Sequence, residues 1–360
     1  MKISTGIGGT SRASEEDSGL LREMDYLAQV HAFGIDIVWA AEAWGADGVS
    51  PLAFLAARNS ALTYGTSVLQ LTARTPVVTA MTAMTMATLT GNKFILGLGV
   101  SGPQVVEGLH AQKFDNPLGR MREYIDILRL AFSGRKLEYQ GRHYQLPMPG
   151  GEGKAIRLAQ QPNPHIPIHL ASLGPKMLEL TGEVADGWLG TSFTPETADV
   201  YLDRFKAGAA RAGRTLDKFD IKIPVACGIA DDPAPLIAAQ KMRLAFSLGG
   251  MGSARTNFYN QAYRRIGYED AAAEVQALFV RGDREEAARR VPDELVLRTT
   301  LIGTEAMIRD RIRKYRDVGV TILHISPIGD TYGRQLEQIG RVVELIRQET
   351  GAAPAGEPPA

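Results

Sequence analysis

The feature that most constrains the fold is an alternation of apolar runs with segments of helical period. Eight runs have the character of buried strands, and most are followed by a helix-like segment. Connections of this size join parallel strands, and strands that are apolar throughout are buried on both faces. The pattern therefore predicts an α/β fold, a (β/α)8 TIM barrel. A doubly wound sheet with a cap domain is the alternative. The runs are residues 2–8, 35–41, 62–71, 94–98, 166–171, 186–189, 219–229 and 320–328.

Helix-start signals support the same segmentation. Ser50, Thr75 and Thr194 each precede a proline, as expected for an N-cap residue followed by the first helical position. Gly174 precedes a proline in the same way and is a variant of this signal. These openings are independent of the apolar pattern, so the two signals reinforce each other.

Two stretches interrupt the alternation. Residues 134–165 contain a predicted hairpin around Gln140-Gly141, and residues 235–300 are helical but irregular. We expect one barrel domain over residues 1–350 with these two insertions. Residues 351–360 consist mostly of Ala, Gly and Pro and are predicted to form a disordered tail.

Composition excludes several classes of protein. The chain has 40 basic and 40 acidic residues, which argues against a general attraction to nucleic acid. It lacks an apolar run of about 18 residues, so no membrane span is expected. The first residues also lack the apolar core of a signal peptide. Cys227 is the single cysteine, which suits a reducing compartment, and we expect a cytoplasmic protein.

Gly97, Gly99 and Gly102 spell the dinucleotide pattern G-x-G-x-x-G. A true fingerprint belongs to the first βαβ unit, opens a helix at once and has an acidic residue at a strand end about 20 residues further on. Here the pattern follows the fourth strand, and no clean periodicity appears before Leu118. We therefore interpret the stretch as the carboxyl end of a barrel strand, where barrel active sites lie.

Six short motifs occur in a characteristic order. They are Gly65-Thr66-Ser67-Val68-Leu69, Thr72-Ala73-Arg74-Thr75-Pro76, Phe94–Gly99, Tyr139-Gln140-Gly141-Arg142-His143-Tyr144, Ala171-Ser172-Leu173-Gly174-Pro175-Lys176 and Ala185-Asp186-Gly187-Trp188. In this order the chain resembles the luciferase-like barrel oxidoreductases, and in particular the branch that uses the deazaflavin coenzyme F-420. The resemblance covers nearly the whole chain except residues 235–300 and the tail.

The resemblance implies a site for the cofactor ring. Ser67-Val68 matches a non-proline cis peptide that forms a bulge behind the central ring. Gln70 matches a polar neighbour of the ring, and Val100 and Ser101 match backbone contacts after the fourth strand.

The resemblance also assigns the cofactor phosphate to Leu173, Gly174, Lys176 and Met177. The residues themselves favour the same interpretation, because a helix start offers free N–H groups and a favourable dipole beside the Lys176 cation. An ordinary turn with a solvated lysine is the alternative. Arg12, Arg74 and Lys176 are candidates to meet the acidic tail of coenzyme F-420, which FMN lacks, or else are surface charges.

The resemblance also bears on the chemistry. Sugar-phosphate dehydrogenases of this family carry an acid and a histidine after strand two and a glutamate after strand four. Here those positions hold Glu42, Ala43 and Gly102. Without an acid/base pair to deprotonate an alcohol, we expect reduction of a polarised C=C, C=N or C=O bond. Glu42 is the candidate proton donor, and Trp44 is a candidate to stack on the cofactor or substrate.

The remaining titratable residues favour structural interpretations. The histidines and the single cysteine lack metal-ligand spacing, so we predict no metal. Glu107 and His110 are assigned to a solvated loop. His169 and His324 are assigned to the core, and His31 to a helix.

Three functions remain open at this stage. The first is an F-420-dependent oxidoreductase that acts on a small organic substrate. The second is an FMN-dependent monooxygenase of the same fold, and the third is a cofactor-binding protein without catalysis. We also expect a homodimer, although the sequence does not identify the pairing surface.

Overall fold

The computed structural model describes residues 1–7, 19–253 and 255–351. Arg12 and nearly all of the predicted tail lie outside these residues. The strands are β1 (Lys2–Ile7), β2 (Ile37–Ala40), β3 (Thr63–Thr66), β4 (Leu69–Gln70), β5 (Phe94–Gly99), β6 (Tyr139–Gln140), β7 (Gln145–Leu146), β8 (Ile168–Ala171), β9 (Gly187–Leu189), β10 (Asp220–Ile229), β11 (Leu301–Gly303) and β12 (Ile322–Pro327).

The α-helices begin after β1 and mostly follow the strands. They are α1 (Gly19–Gln29), α2 (Ser50–Arg58), α3 (Pro76–Leu89), α4 (Pro103–Gly108), α5 (Pro117–Phe132), α6 (Pro175–Val184), α7 (Asp199–Arg211), α8 (Ala234–Gly249), α9 (Phe258–Arg265), α10 (Glu269–Val280), α11 (Arg284–Arg289), α12 (Asp293–Thr299), α13 (Glu305–Asp317) and α14 (Tyr332–Thr350). None of these described helices is long and apolar enough to cross a bilayer.

Eight parallel strands close into a barrel. Their order around it is β1, β2, β3, β5, β8, β9, β10 and β12, and β12 pairs with β1 to complete the ring. β4 continues the line of β3 and pairs with β5, while β11 adds to β10 near its carboxyl end. The predicted (β/α)8 barrel is confirmed, and the doubly wound alternative is wrong.

The helix openings agree only partly with the sequence signals. The Thr75 hydroxyl accepts the N–H of Val78 at 3.4 Å, so the predicted cap of α3 is confirmed. Ser50 is not a cap, because Asp47 takes that role by accepting the N–H groups of Val49 and Ser50 at 2.8 and 2.9 Å. Thr194 is not a side-chain cap either, since a short 3-10 turn separates it from α7.

Both insertions lie where the sequence places them. β6 and β7 form the predicted antiparallel hairpin, and the carboxylate of Glu123 accepts three of its backbone N–H groups at 2.8 to 3.0 Å. The second insertion contains α8 to α12. The short helix α4 begins right after Gly102, a segment in which the sequence shows no clean periodicity. Its 6 residues are too few for a periodic signal to appear.

Candidate functional site

Three predicted segments meet at the carboxyl edge of neighbouring strands. Gln70 pairs with Gly99, and Gly99 pairs in turn with Ala171. The segment 67–70, the segment 99–101 and the turn 171–174 are therefore adjacent on β3/β4, β5 and β8. This edge is the one at which TIM barrels carry their active sites.

The bulge between β3 and β4 shapes this edge. The Ser67–Val68 peptide bond is cis. A Cβ atom on Gly97 would overlap the carbonyl oxygen of Thr66, and one on Gly99 would lie 2.7 Å from Cγ2 of Val68. Gly97 and Gly99 therefore make room for the bulge of the neighbouring strand rather than for a dinucleotide.

Glu42 is held by an ion pair at this edge. Its Oε1 lies 2.7 Å from Nη2 of Arg74, and both side chains are largely buried. This hydrogen bonding raises the pKa of Arg74. Gln70 donates from Nε2 to the Glu42 carbonyl at 2.9 Å, while its own Oε1 is buried without a hydrogen-bond partner in the described structure. Trp44, by contrast, is 57% exposed at the rim.

The loop after β5 is compact. Ser101 adopts a left-handed conformation with φ of 60°. A Cβ atom on Gly102 would meet only Oε1 of Gln104, at 3.3 Å. Glu107 is exposed as predicted, but it lies in α4 and not in a loop, and it accepts the N–H of Phe114 at 3.2 Å. Nε2 of His110 is buried and has no hydrogen-bond partner among the described residues.

The turn after β8 suits an anion. Gly174 precedes α6, and a Cβ atom there would meet nothing within 4 Å. The first turn of α6 therefore opens to free space with its unpaired N–H groups and the positive end of its dipole. Lys176 is exposed there, without an ion pair in the described part of the chain.

Arg265 reaches the same turn from α9. Its Nη2 donates to the carbonyl of Leu173 at 2.6 Å, and its Nε is buried without a partner among the described residues. Burial lowers the pKa of this guanidinium. Arg265 is not among the residues predicted from the sequence, because the irregular 235–300 region carries no signal that aims its side chain at β8.

The barrel interior holds a buried lysine, which the sequence reasoning also does not identify. Nζ of Lys222 lies 2.9 Å from Oγ of Ser67 and 4.8 Å from the centroid of the Trp39 ring. Burial lowers the pKa of Lys222 to about 7. In the sequence, the feature that could have identified Lys222 is a charged residue within a mostly apolar strand.

The predicted structural histidines lie where expected, with one difference. Nδ1 of His324 lies 3.3 Å from Oγ of Ser4, and burial lowers its pKa well below the ordinary value. His31 contacts the carbonyl of Ile35 through Nδ1. His169 is fully buried but its ring nitrogens have no hydrogen-bond partner in the described structure, and burial lowers its pKa to about 4. Its Nε2 lies 3.6 Å from Oδ2 of Asp220, which is beyond hydrogen-bond distance, so His169 is a core residue as predicted but has no hydrogen bond.

Comparison with known proteins now gives the family. The sequence profile of the luciferase-like monooxygenases matches residues 1–321. The chain belongs to the luciferase-like monooxygenase family. Within the described residues of this luciferase-like protein, no group of three or more His, Cys, Asp or Glu side chains is placed to hold a metal ion.

Individual relatives narrow the comparison. A Mycobacterium tuberculosis protein named as a coenzyme F-420-dependent oxidoreductase is 41% identical over 310 residues, which is 84% of this chain and 89% of the relative. The 5,10-methylenetetrahydromethanopterin reductase of Archaeoglobus fulgidus is 26% identical over 89% of this chain and 94% of its own length. The F-420-dependent tetrahydromethanopterin reductase of Methanopyrus kandleri shares the fold, with a TM-score of 0.76, 21% identity and coverage of 95% of this chain and 98% of that one.

Proposed function

We propose that this luciferase-like protein transfers hydride between coenzyme F-420 and a small organic substrate, in the reductase direction. The main support for the proposal is the turn after β8, where the first N–H groups of α6 are free to bind an anion. This turn follows the strand that pairs with β5, next to the bulge. The 41% identical relative, whose name states F-420 dependence, supports the same cofactor.

The residues at this edge fit such a cofactor. Ser67, Val68 and Gln70 would back the ring, with Val100 and Ser101 beside it. The buried, unpartnered Oε1 of Gln70 is a polar atom that a bound group can satisfy. The phosphate would be held by the four residues of the turn and first helical positions, namely Leu173, Gly174, Lys176 and Met177.

The proposed direction of reaction follows from the absence of an acid/base partner for Glu42, since Ala43 and Gly102 stand where related dehydrogenases carry a histidine and a glutamate. Reduced coenzyme F-420 supplies, when bound, a hydride to a polarised C=C, C=N or C=O bond, so that the cofactor loses two electrons and the substrate gains the hydride and then a proton. We propose that Glu42, held by Arg74, positions the loop and that solvent supplies the proton. The exposed ring of Trp44 is the proposed stacking surface for the substrate.

We also propose a cytoplasmic homodimer that pairs through α2 and α3. Phe54, Val78 and Met81 are 46%, 47% and 46% exposed, and α3 carries no charged residue. A helix of this kind is normally buried, and a second copy of the chain covers it most simply through a two-fold axis. Sedimentation of a Met81→Glu variant tests this, since a monomer is expected where the parent protein is a dimer.

Fluorescence titration with oxidised coenzyme F-420 tests the cofactor assignment. We expect saturable binding that Lys176→Met weakens, since that variant removes a cation beside the helix start. Lys206→Met is the matched control, because Lys206 lies on the exposed face of α7. An FMN-dependent monooxygenase would instead bind FMN and consume oxygen with reduced FMN, which would contradict the proposal.

A further inference from the structure

A cavity of about 360 Å³ lies at the carboxyl ends of β9, β10 and β12, beneath α8 and α9. Its strand residues include Pro224, Ala226 and Ser326. Ala226 pairs with Ser326, and both follow the same alternation as the interior residue Lys222. Ile223 and Val225, which have the opposite alternation, also line the cavity, so it extends from the carboxyl end of the barrel to the surrounding helices. Its size is that of a small-molecule site.

The strand order sets the position of this cavity relative to the cofactor residues. Around the ring of eight strands, β10 lies opposite β3, and β12 lies opposite β5. The bulge at Ser67-Val68 belongs to the β3 side. The cavity therefore lies on the opposite side of the barrel from the residues proposed to hold the cofactor ring.

Among the described residues, the cavity lining carries a positive charge and no negative charge. Arg243 is the charged residue among the described residues that line it, and no carboxylate accompanies it there. Arg243 is an exposed residue, and its guanidinium makes no ion pair or hydrogen bond with the described part of the chain. The cavity therefore presents one cation that the protein does not neutralise.

A second polar group points to the same ligand. Gln240 lies three residues before Arg243 on α8, so both side chains share one face of the helix. Gln240 is only 6% exposed as a residue, and its amide makes no hydrogen bond with a described residue. Its amide atoms are not fully enclosed by protein, so they are free to bind a polar group of a molecule in the cavity that Gln240 lines.

We propose that this cavity is the acceptor site and takes a small organic acid, whose carboxylate is bound by Arg243 and Gln240. A single guanidinium matches a monoanionic carboxylate, with which it forms two parallel hydrogen bonds. A phosphate dianion would keep an unmatched charge. The role as acceptor site rests on the proposed function, whereas the binding of carboxylates does not.

Calorimetric titration of the full chain without cofactor tests the site. The probes are trans-cinnamate, crotonate and 2-oxobutanoate, each beside its neutral counterpart, cinnamamide, crotonamide or 2-butanone. At least one carboxylate should bind better than its counterpart, and Arg243→Met should raise its Kd about tenfold or more. Arg243→Lys should keep part of the affinity, because the charge remains and the fork is lost. Arg281→Met, at the exposed end of α10, should leave the Kd unchanged.

The proposal is overturned if no carboxylate binds, if neutral counterparts bind equally well, or if Arg243→Met behaves like Arg281→Met. Titration of the same variants with coenzyme F-420 separates this proposal from the proposed function. Arg243→Met should bind the cofactor as the parent does. Arg243-dependent carboxylate binding in a protein that does not bind F-420 would sink the proposed function and leave the anion site standing.

Discussion

The Nη2 atom of Arg74 lies 2.7 Å from Oε1 of Glu42, and this ion pair joins the loop after β2 to the loop after β4. The Glu42 backbone is also fixed, since its N–H donates to the carbonyl of Val68 at 3.1 Å. The residue predicted as a proton donor is thus tied on two sides to the cofactor edge. Because its carboxylate is already paired with Arg74, Glu42 is better suited to hold the loop in position than to donate a proton.

Glu42→Gln should therefore lower stability more than it changes chemistry. Loss of a charged hydrogen bond that is largely buried should reduce the free energy of unfolding by about 2 kcal/mol. Urea unfolding measures this, with Asp203→Asn as the control, because the Lys206–Asp203 pair is exposed and contributes little. A turnover rate that falls by orders of magnitude with unchanged stability would restore Glu42 as the acid.

Lys222→Met should change how stability depends on pH. The folded-state pKa of about 7 is below the ordinary value of about 10.5, so the unfolded chain holds more protons between these pH values. Below pH 7 the folded protein bears the full cost of a buried charge, on the order of 5 kcal/mol, and this cost fades as the pH rises toward 10.5.

The variant should accordingly gain more stability at pH 6 than at pH 9.5, as measured by urea unfolding at both values. The groups that face Lys222 are Ser67, Trp39, His169 and His324. Neither histidine titrates in the folded state within this range, so the difference between parent and variant isolates the lysine. An equal effect at the two pH values would contradict the assignment.

Gly97→Ala and Gly174→Ala should separate packing from binding. The alanine at 97 would overlap the Thr66 carbonyl, a backbone atom that cannot move aside, so we expect a loss of about 3 kcal/mol or an insoluble protein. The alanine at 174 meets nothing within 4 Å, so thermal unfolding should be unchanged. Gly174→Ala should remain folded and still bind coenzyme F-420 more weakly, because its methyl group enters the space in front of α6. If Gly174→Ala binds F-420 like the parent, the phosphate does not occupy that space.

Arg265→Met should weaken F-420 binding about tenfold, since its guanidinium stands beside the start of α6. The loss should shrink as salt rises, because the interaction is between charges. The exposed Arg281→Met provides the matched control in the same titration. Equal affinities of the two variants would show that Arg265 only braces the Leu173 carbonyl.

The barrel is readable from the sequence because its signals are local. Each strand is a short apolar run, and each helix has its own period and cap, as at Thr75. The short elements escape this reading, since the 6 residues of α4 and the 3 of β11 are too few to show a period. The cap motifs at Ser50 and Thr194 fail for different reasons. Ser50 lies inside α2 and its N–H is bound by Asp47, and a 3-10 turn separates Thr194 from α7.

The candidate site divides in the same way. Ser67-Val68 and the turn at 173–177 are contiguous motifs, so they can be recognised from the sequence alone. Lys222, Arg243 and Arg265 act through side-chain directions that only the assembled barrel fixes. Arg265 contacts a residue 92 positions away in sequence, and no local pattern encodes such a contact.

The most direct test of the central claim is anaerobic titration of the purified protein with coenzyme F-420 and, separately, with FMN, each oxidised and reduced. We predict that F-420 binds saturably, with a far smaller Kd than FMN, and that its reduced form is oxidised when an acceptor acid is added. Tight binding of FMN with no binding of F-420, and oxygen uptake with reduced FMN, would contradict the account.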